Sequence, residues 1–263
     1  MPITPASALL TDRLVVVTGA AAGIGAAIAP TCARFGADVA LCDRDAEGLA
    51  RVAREVEALG RRAHTATLDV REGDAVRAWV ESLPAVDVLV NNAGGGFRAA
   101  FLDVNDKGQD SLIRENFTSV TNFVRACVPK MTANGHACII NITSIEAHRA
   151  APGFAVYSAM KAALENLTKT LALELGDRMI RVNTIAPDVI PTPGIGGDVP
   201  VKTPLPIAGH VDDVAAAVIY LASDLGRFVT GTTIHVDGGN FAAGGWGRGP
   251  TGDWITAGEV VPR

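Results

Sequence analysis

A three-layer α/β sandwich, a seven-stranded and mostly parallel sheet with helices on both faces, is the fold class this sequence predicts. Three observations carry it. Short apolar, β-branched runs alternate with helical stretches along the chain, the pattern of successive β–α–β units. The first run passes directly into a glycine-rich turn and a helix start, the opening of a dinucleotide-binding unit. A later run, ACIINITS, ends on Ser144, thirteen positions before Tyr157 of YSAMK. That serine falls just past a strand's carboxyl end, where open α/β sheets place their ligands.

The elements follow in order. LVVVT at 14–18 reads as a buried strand, because continuous apolar runs mark strands covered on both faces. Gly19, Gly23 and Gly25 let the backbone approach a pyrophosphate without a Cβ clash. The helix expected over 23–35 then offers unpaired N–H groups and its positive dipole end to phosphates. Residues 14–29 lack charge, but they are too few and too rich in glycine to span a bilayer. Pro30 lies inside this helix, where it removes a hydrogen bond and predicts a kink. Further strands are expected near 38–42, 64–68, 87–90, 137–142, 180–184 and 232–236, and helices near 45–59, 73–82, 107–133, 155–176 and 211–223. No repeat or linker interrupts the series, so residues 1–240 read as one dinucleotide-binding and catalytic domain. Residues 241–263 form a Gly- and Trp-containing extension with no domain of its own.

Composition narrows the function. With 48% hydrophobic and 19% charged residues, 263 residues build a large core without metals or disulfides. A formal charge of −5 leaves no basic footprint for nucleic acid. The first residues lack a secretory pattern. Cys32, Cys42, Cys127 and Cys138 form no CxxC pair and read as small core residues of a cytoplasmic protein. The five histidines have no metal-ligand spacing.

Tyr157 and Lys161 share a helix face at i and i+4. A phenol, an ammonium and the Ser144 hydroxyl converging on one point suit proton transfer at an alcohol or carbonyl. Together with Thr18-Gly19 through Gly23-Ile24-Gly25, Asn91-Asn92-Ala93-Gly94, Asp69 in LDV, Asn116 in RENFTS and Asp237-Gly238-Gly239, these motifs resemble the compact short-chain dehydrogenase/reductases over about residues 11 to 240. The resemblance implies a Rossmann-type fold and a catalytic set of Asn116, Ser144, Tyr157 and Lys161. Tyr157 would be the acid–base, Ser144 would bind the substrate oxygen, and Lys161 would hold the nicotinamide ribose. Asn116 would hold a water linking Lys161 to solvent. It also implies cofactor contacts from Gly19, Gly23, Ile24 and Gly25, from Asn92, Ala93 and Gly94, and from Pro187, Ile190 and Thr192. Asp69, beside Val70, would meet the adenine amine. Homotetramers or dimers, built through the long helices, are the family's usual assembly.

Asp43 ends the second strand (VALCD), where this fold places the adenosine ribose. A carboxylate there accepts hydrogen bonds from the ribose hydroxyls of NAD and repels the 2′-phosphate of NADP. At ~5 Å and an effective dielectric of ~20 that repulsion costs roughly 3 kcal/mol. NAD is therefore the expected cofactor and NADP the lesser one. Arg44 is the dissenting residue, able to reach a phosphate or to stand as a solvated charge.

Two departures stand out. The proline–glycine usual after strand six reads Pro187-Asp188 here, and Asp188 is expected to face away from the site. The segment after Thr192 is short and rich in Pro and Gly, which predicts a reduced lid, an open cleft and a bulky substrate such as an alicyclic or steroid-like alcohol or a hydroxyacyl group. Trp246 and Trp254 in the tail argue for docking on the molecule or a neighbouring subunit. The alternatives are an NADP-dependent 3-oxoacyl-type ketoreductase and a cofactor-binding regulator without catalysis.

Overall fold

The computed structural model describes residues 2–131, 135–196, 201, 203–249 and 252–256. Seven strands form one sheet: β1 Leu14–Thr18, β2 Asp38–Asp43, β3 Ala63–Thr67, β4 Val88–Asn91, β5 Cys138–Ile142, β6 Arg181–Pro187 and β7 Thr233–Val236. The order is β3-β2-β1-β4-β5-β6-β7, and all six ladders are parallel. The order reverses between β1 and β4. Connections diverge there to opposite faces and leave a crevice at the carboxyl ends.

The helices are α1 Gly23–Arg34, α2 Ala46–Ala58, α3 Gly73–Ser82, α4 Asp106–Ile113, α5 Ser119–Cys127, α6 Ala155–Glu174 and α7 Val211–Ala222. Successive strand residues point to opposite faces, so β1 feeds two cores. Val15 and Val17 pack with Ile28 of α1, Val52 of α2 and Val218 of α7. Leu14 and Val16 pack with Val80 of α3, Phe123 of α5 and Leu164 of α6. This double burial is why the strand has no polar alternation.

The expected helix over 107–133 is not one helix. α4 runs into a π-helical turn, Arg114–Thr118, then α5, and a 3-10 turn at Val128–Lys130. Pro129 sits in that last turn, where it lacks the N–H that α-helix continuation needs. Residues 132–134 lie outside the described residues. Pro30 is buried within α1, and the helix runs on to Arg34. Strand β6 reaches Pro187, three residues past its expected end, because its final residues pair with β7 up to Pro187↔Val236.

Beyond β7 lie a short helix, α8 Asn240–Ala243, and an antiparallel hairpin of β8 Trp246–Arg248 and β9 Trp254–Thr256. Trp246 and Trp254 remain 53% and 43% exposed, and the Arg248 guanidinium stacks 4.1 Å over the Trp254 ring. The indoles therefore do not dock on this chain's own body. The tail's hold on the body is at α8, where Phe241 stacks on His235. The four cysteines are buried and free. Among the described residues no helix is long and apolar enough to cross a membrane.

Candidate active site

A cleft of about 780 Å³ follows the carboxyl ends of the strands. At one end it is bordered by Asp43, Arg44 and Val70, in the middle by Gly19, Gly23 and Ile24, then by Asn92, Ala93 and Gly94. Ser144, Tyr157, Lys161, Pro187, Ile190 and Thr192 border the other end. These fifteen positions along a helix–turn–sheet crevice thus become one continuous surface.

The β1–α1 turn is built by close packing. Gly19 takes φ +66°, and a Cβ at Gly25 would lie 2.1 Å from the Gly19 carbonyl oxygen and 2.6 Å from the Asn92 amide nitrogen. Gly25 is buried and shapes the turn from beneath rather than bordering the cleft. Thr18, which the sequence reading treated only as part of the motif, ties the two halves together. Its Oγ1 accepts from the Asn92 and Ala93 N–H groups at 3.0 and 2.9 Å. The amino end of α1 opens onto the cleft, a built anion cradle.

Asp43 borders the cleft with its carboxylate fixed. One oxygen accepts from Ala21 N at 3.0 Å, the other from Asp45 N at 3.1 Å, which leaves further lone pairs on both. Arg44 is exposed on the same rim. Asp69 does not stand as expected. Arg71 clasps both its oxygens, with Nε at 2.9 and 3.0 Å and a terminal nitrogen at 2.5 Å, and holds its carboxyl below the usual range. Leu68 and Val70 border the cleft instead of Asp69, since alternate side chains leave a strand end in opposite directions.

The reactive end is held by α6, β5 and the π turn. The Tyr157 hydroxyl faces the Ser144 side chain, but burial outweighs the influence of that neighbour and raises the phenol above its ordinary pKa. Lys161 is buried. Its Nζ donates to Ile142 O at 3.0 Å and lies 5.6 Å from the Tyr157 ring centroid. Burial lowers this ammonium to about 8, with partial compensation from Glu115. Asn116 is fully buried and does not border the cleft. Its amide nitrogen donates to Gly95 O (2.8 Å) and Leu112 O (3.0 Å), and its oxygen accepts from Gly95 N (3.1 Å). Both N–H donors are used, so the side chain clamps the loop after β4. A Cβ at Gly94 would meet Asn116 Oδ1 at 2.8 Å and Lys161 Nζ at 3.0 Å, which locates the clamp beside the lysine.

Asp188 is also not where the sequence placed it. It borders the cleft, accepts from Asn240 Nδ2 at 2.7 Å and lies 3.9 Å from Arg149. Arg149 is held by Glu146 at 2.8 Å. Glu146 borders the cleft, as its place in the loop after β5 leads one to expect, whereas the orientation of Asp188 is fixed only by its tertiary partner Asn240. Among the described residues no cluster of His, Cys, Asp and Glu is placed to hold a metal.

The glycine cradle, the amino end of α1 and the Asp43 carboxylate fit a nicotinamide dinucleotide lying from Asp43 to Tyr157. Comparison with known proteins agrees. A family model described as enoyl-(acyl carrier protein) reductase matches residues 19–240. A 3-oxoacyl-(acyl-carrier-protein) reductase of Thermotoga maritima is 35% identical over 242 residues, covering 88% of this chain and 98% of its own. A 7α-hydroxysteroid dehydrogenase structure with NADH and a 7-oxo bile acid superposes with TM-score 0.86 at 31% identity, over 90% of this chain and 98% of that one. A gluconate 5-dehydrogenase from Burkholderia cenocepacia, with NADP and tartrate, gives TM-score 0.84 at 34% identity, over 90% and 98%. The chain belongs to the short-chain dehydrogenase/reductase family, NAD(P)-dependent oxidoreductases acting on CH–OH groups.

Proposed function

We propose that this protein is an NAD-preferring dehydrogenase that interconverts a secondary alcohol and a ketone. The observation that carries the cofactor choice is the Asp43 carboxylate, fixed on the cleft by Ala21 N and Asp45 N. Bound NAD would supply the hydride acceptor. The chain's own residues orient the alcohol and move its proton. Ser144 hydrogen-bonds the substrate oxygen, and Tyr157 takes the hydroxyl proton on oxidation or gives it on reduction. Lys161, four residues along the same face, holds the ribose hydroxyls and favours the phenolate. Asn116 fixes the Gly94–Gly95 loop against Lys161. Asn92, Ala93 and Gly94 with Pro187, Ile190 and Thr192 hold the nicotinamide half, Gly19, Gly23 and Ile24 the pyrophosphate, and Val70 the adenine.

For the substrate, exposed Val189 and Ile195 border the cleft, and exposed Phe97 lines a small adjoining pocket shared with Phe154 and Tyr157. This supports a bulky alicyclic or steroid-like alcohol or a hydroxyacyl group. We place the protein in the cytoplasm as a homotetramer, with residues 1–240 as the catalytic domain and 241–263 as an appended tail. The second reading, an NADP-dependent 3-oxoacyl-type ketoreductase, is favoured by Arg44 on the ribose rim. A non-catalytic regulator has no comparable support, because Ser144, Tyr157 and Lys161 converge.

Fluorescence titration with NADH and NADPH decides between the first two. NADH should bind at least about tenfold tighter, within the roughly 3 kcal/mol of one like-charge contact, and Asp43→Ala should erase the difference. Equal or tighter NADPH binding by the wild-type protein would give Arg44 the deciding role and favour the ketoreductase.

A further inference from the structure

A buried carboxylate lies behind the reactive end and has no part in the chemistry above. Glu165 is on α6, four residues past Lys161, and is 7% exposed. Its Oε1 accepts from Thr143 Oγ1 at 2.8 Å. Its Oε2 accepts from Thr184 Oγ1 of β6 at 3.1 Å and from Thr233 Oγ1 of β7. His148 Nε2 lies 3.3 Å from Oε1 but makes no hydrogen bond, so the ring meets the carboxylate by packing. No lysine or arginine pairs with Glu165 among the described residues.

Thr143 and His148 bracket Ser144. Ser144 has an extended backbone, φ −165° and ψ 155°, and neighbouring side chains on extended backbone point opposite ways. Drawing Thr143 towards Glu165 therefore turns Ser144 towards Tyr157. After Ser144 the chain makes one 3-10 turn, Ile145–Ala147, and ends at His148, whose ring returns to the same carboxylate. We propose that Glu165 is a positioning residue that clamps the Ser144 turn at both ends, through the Thr143 hydroxyl before the serine and against the His148 ring after it. The inference rests on the dehydrogenase reading for its kinetic part.

The groups facing this pair are few. His235 of β7 packs its ring 4.6 Å from that of His148, and Phe241 of α8 covers both at 4.5 and 5.3 Å. Asp237 acts on His235 from beyond β7. Arg149 and Glu146 flank His148 on its own loop and pair with each other. Burial and the neighbouring His148 hold His235 below the usual histidine range.

The test uses the full chain and two variants, Glu165→Gln and His148→Asn. With an alcohol the wild type oxidises, kcat in Glu165→Gln should drop about tenfold at unchanged NADH affinity, since a misplaced group costs rate rather than binding. His148→Asn, which alters one end of the clamp only, should lower kcat by a smaller factor, again at unchanged NADH affinity. A crystal structure of each variant should show Ser144 turned from Tyr157. Wild-type kcat with Ser144 unmoved in both variants, or NADH affinity lost in step with kcat, would overturn the proposal. If Glu165→Gln does not fold, His148→Asn decides alone. If no alcohol is turned over by the wild type, the dehydrogenase reading fails while the position of Ser144 in the variants still tests the clamp.

Discussion

Tyr157 and Lys161 titrate in opposite senses for one physical reason. Burial disfavours the charged form of each, so the phenol rises and the ammonium falls to about 8. Removing the phenol oxygen should isolate its role. Tyr157→Phe should lower kcat by about 10²- to 10⁴-fold, the usual worth of a positioned acid–base, while NADH affinity changes less than about twofold; retained turnover would remove Tyr157 from the mechanism. For Lys161 the consequence is for folding without added cofactor. Between about pH 8 and the ordinary lysine value of 10.5, the unfolded chain keeps a proton that the folded chain has released. The Lys161 contribution to stability therefore rises with pH across that window and carries the full burial penalty below it. Lys161→Met should remove that contribution, so the difference between wild-type and variant denaturant midpoints should change from pH 7 to 10.5, and parallel curves for the two proteins would contradict the buried ammonium.

At the scale of elements, the site depends on two backbone features. One is the β1–α1 turn, where the space at Gly25 is closed by backbone. Gly25→Ala places a methyl 2.1 Å from the Gly19 carbonyl oxygen, a neighbour that cannot swing aside. The substitution should cost about 3 kcal/mol, the upper range for overpacking, and weaken NADH binding; a wild-type melting temperature with wild-type affinity would show that the turn relaxes freely. The other is the π turn at Arg114–Thr118. Such turns interrupt α-helical bonding and recur at functional sites, and here it presents Asn116 to the Gly95 backbone. The motif RENFTS marks the residue. Nothing in helix-period reasoning marks the change of helix type, because the apolar spacing on either side remains helical.

For the whole molecule, the sheet order brings four separate chain segments to one edge, and the tail adds a feature outside that frame. The hairpin Trp246–Arg248 and Trp254–Thr256 pairs with itself and leaves both indoles half exposed. Large exposed aromatics favour interfaces. Truncation after Ala243 should leave the unfolding transition within about 2 °C, as expected for removal of exposed surface, and should reduce the assembly seen by sedimentation or alter KM. An unchanged assembly with unchanged kinetics would refute a docking role for the tail.

The order of elements, the glycine turn, the NNAG loop and the Ser144–Tyr157–Lys161 spacing were determined by the sequence alone. Each rests on local physics: the alternation of buried runs, the steric freedom of glycine, and the i, i+4 geometry of a helix. The cleft's continuity could be anticipated for the same reason, since parallel strands bring their carboxyl ends to one edge. What only the tertiary structure decided is which partner each polar side chain takes. Asp69 turns to Arg71, Asp188 turns into the cleft to meet Asn240, and the Asn116 amide is taken by Gly95. Glu165 gathers threonines from β6, from β7 and from the residue after β5. A polar side chain chooses its partner by three-dimensional proximity and desolvation, and neither quantity is written in the spacing of residues along the chain.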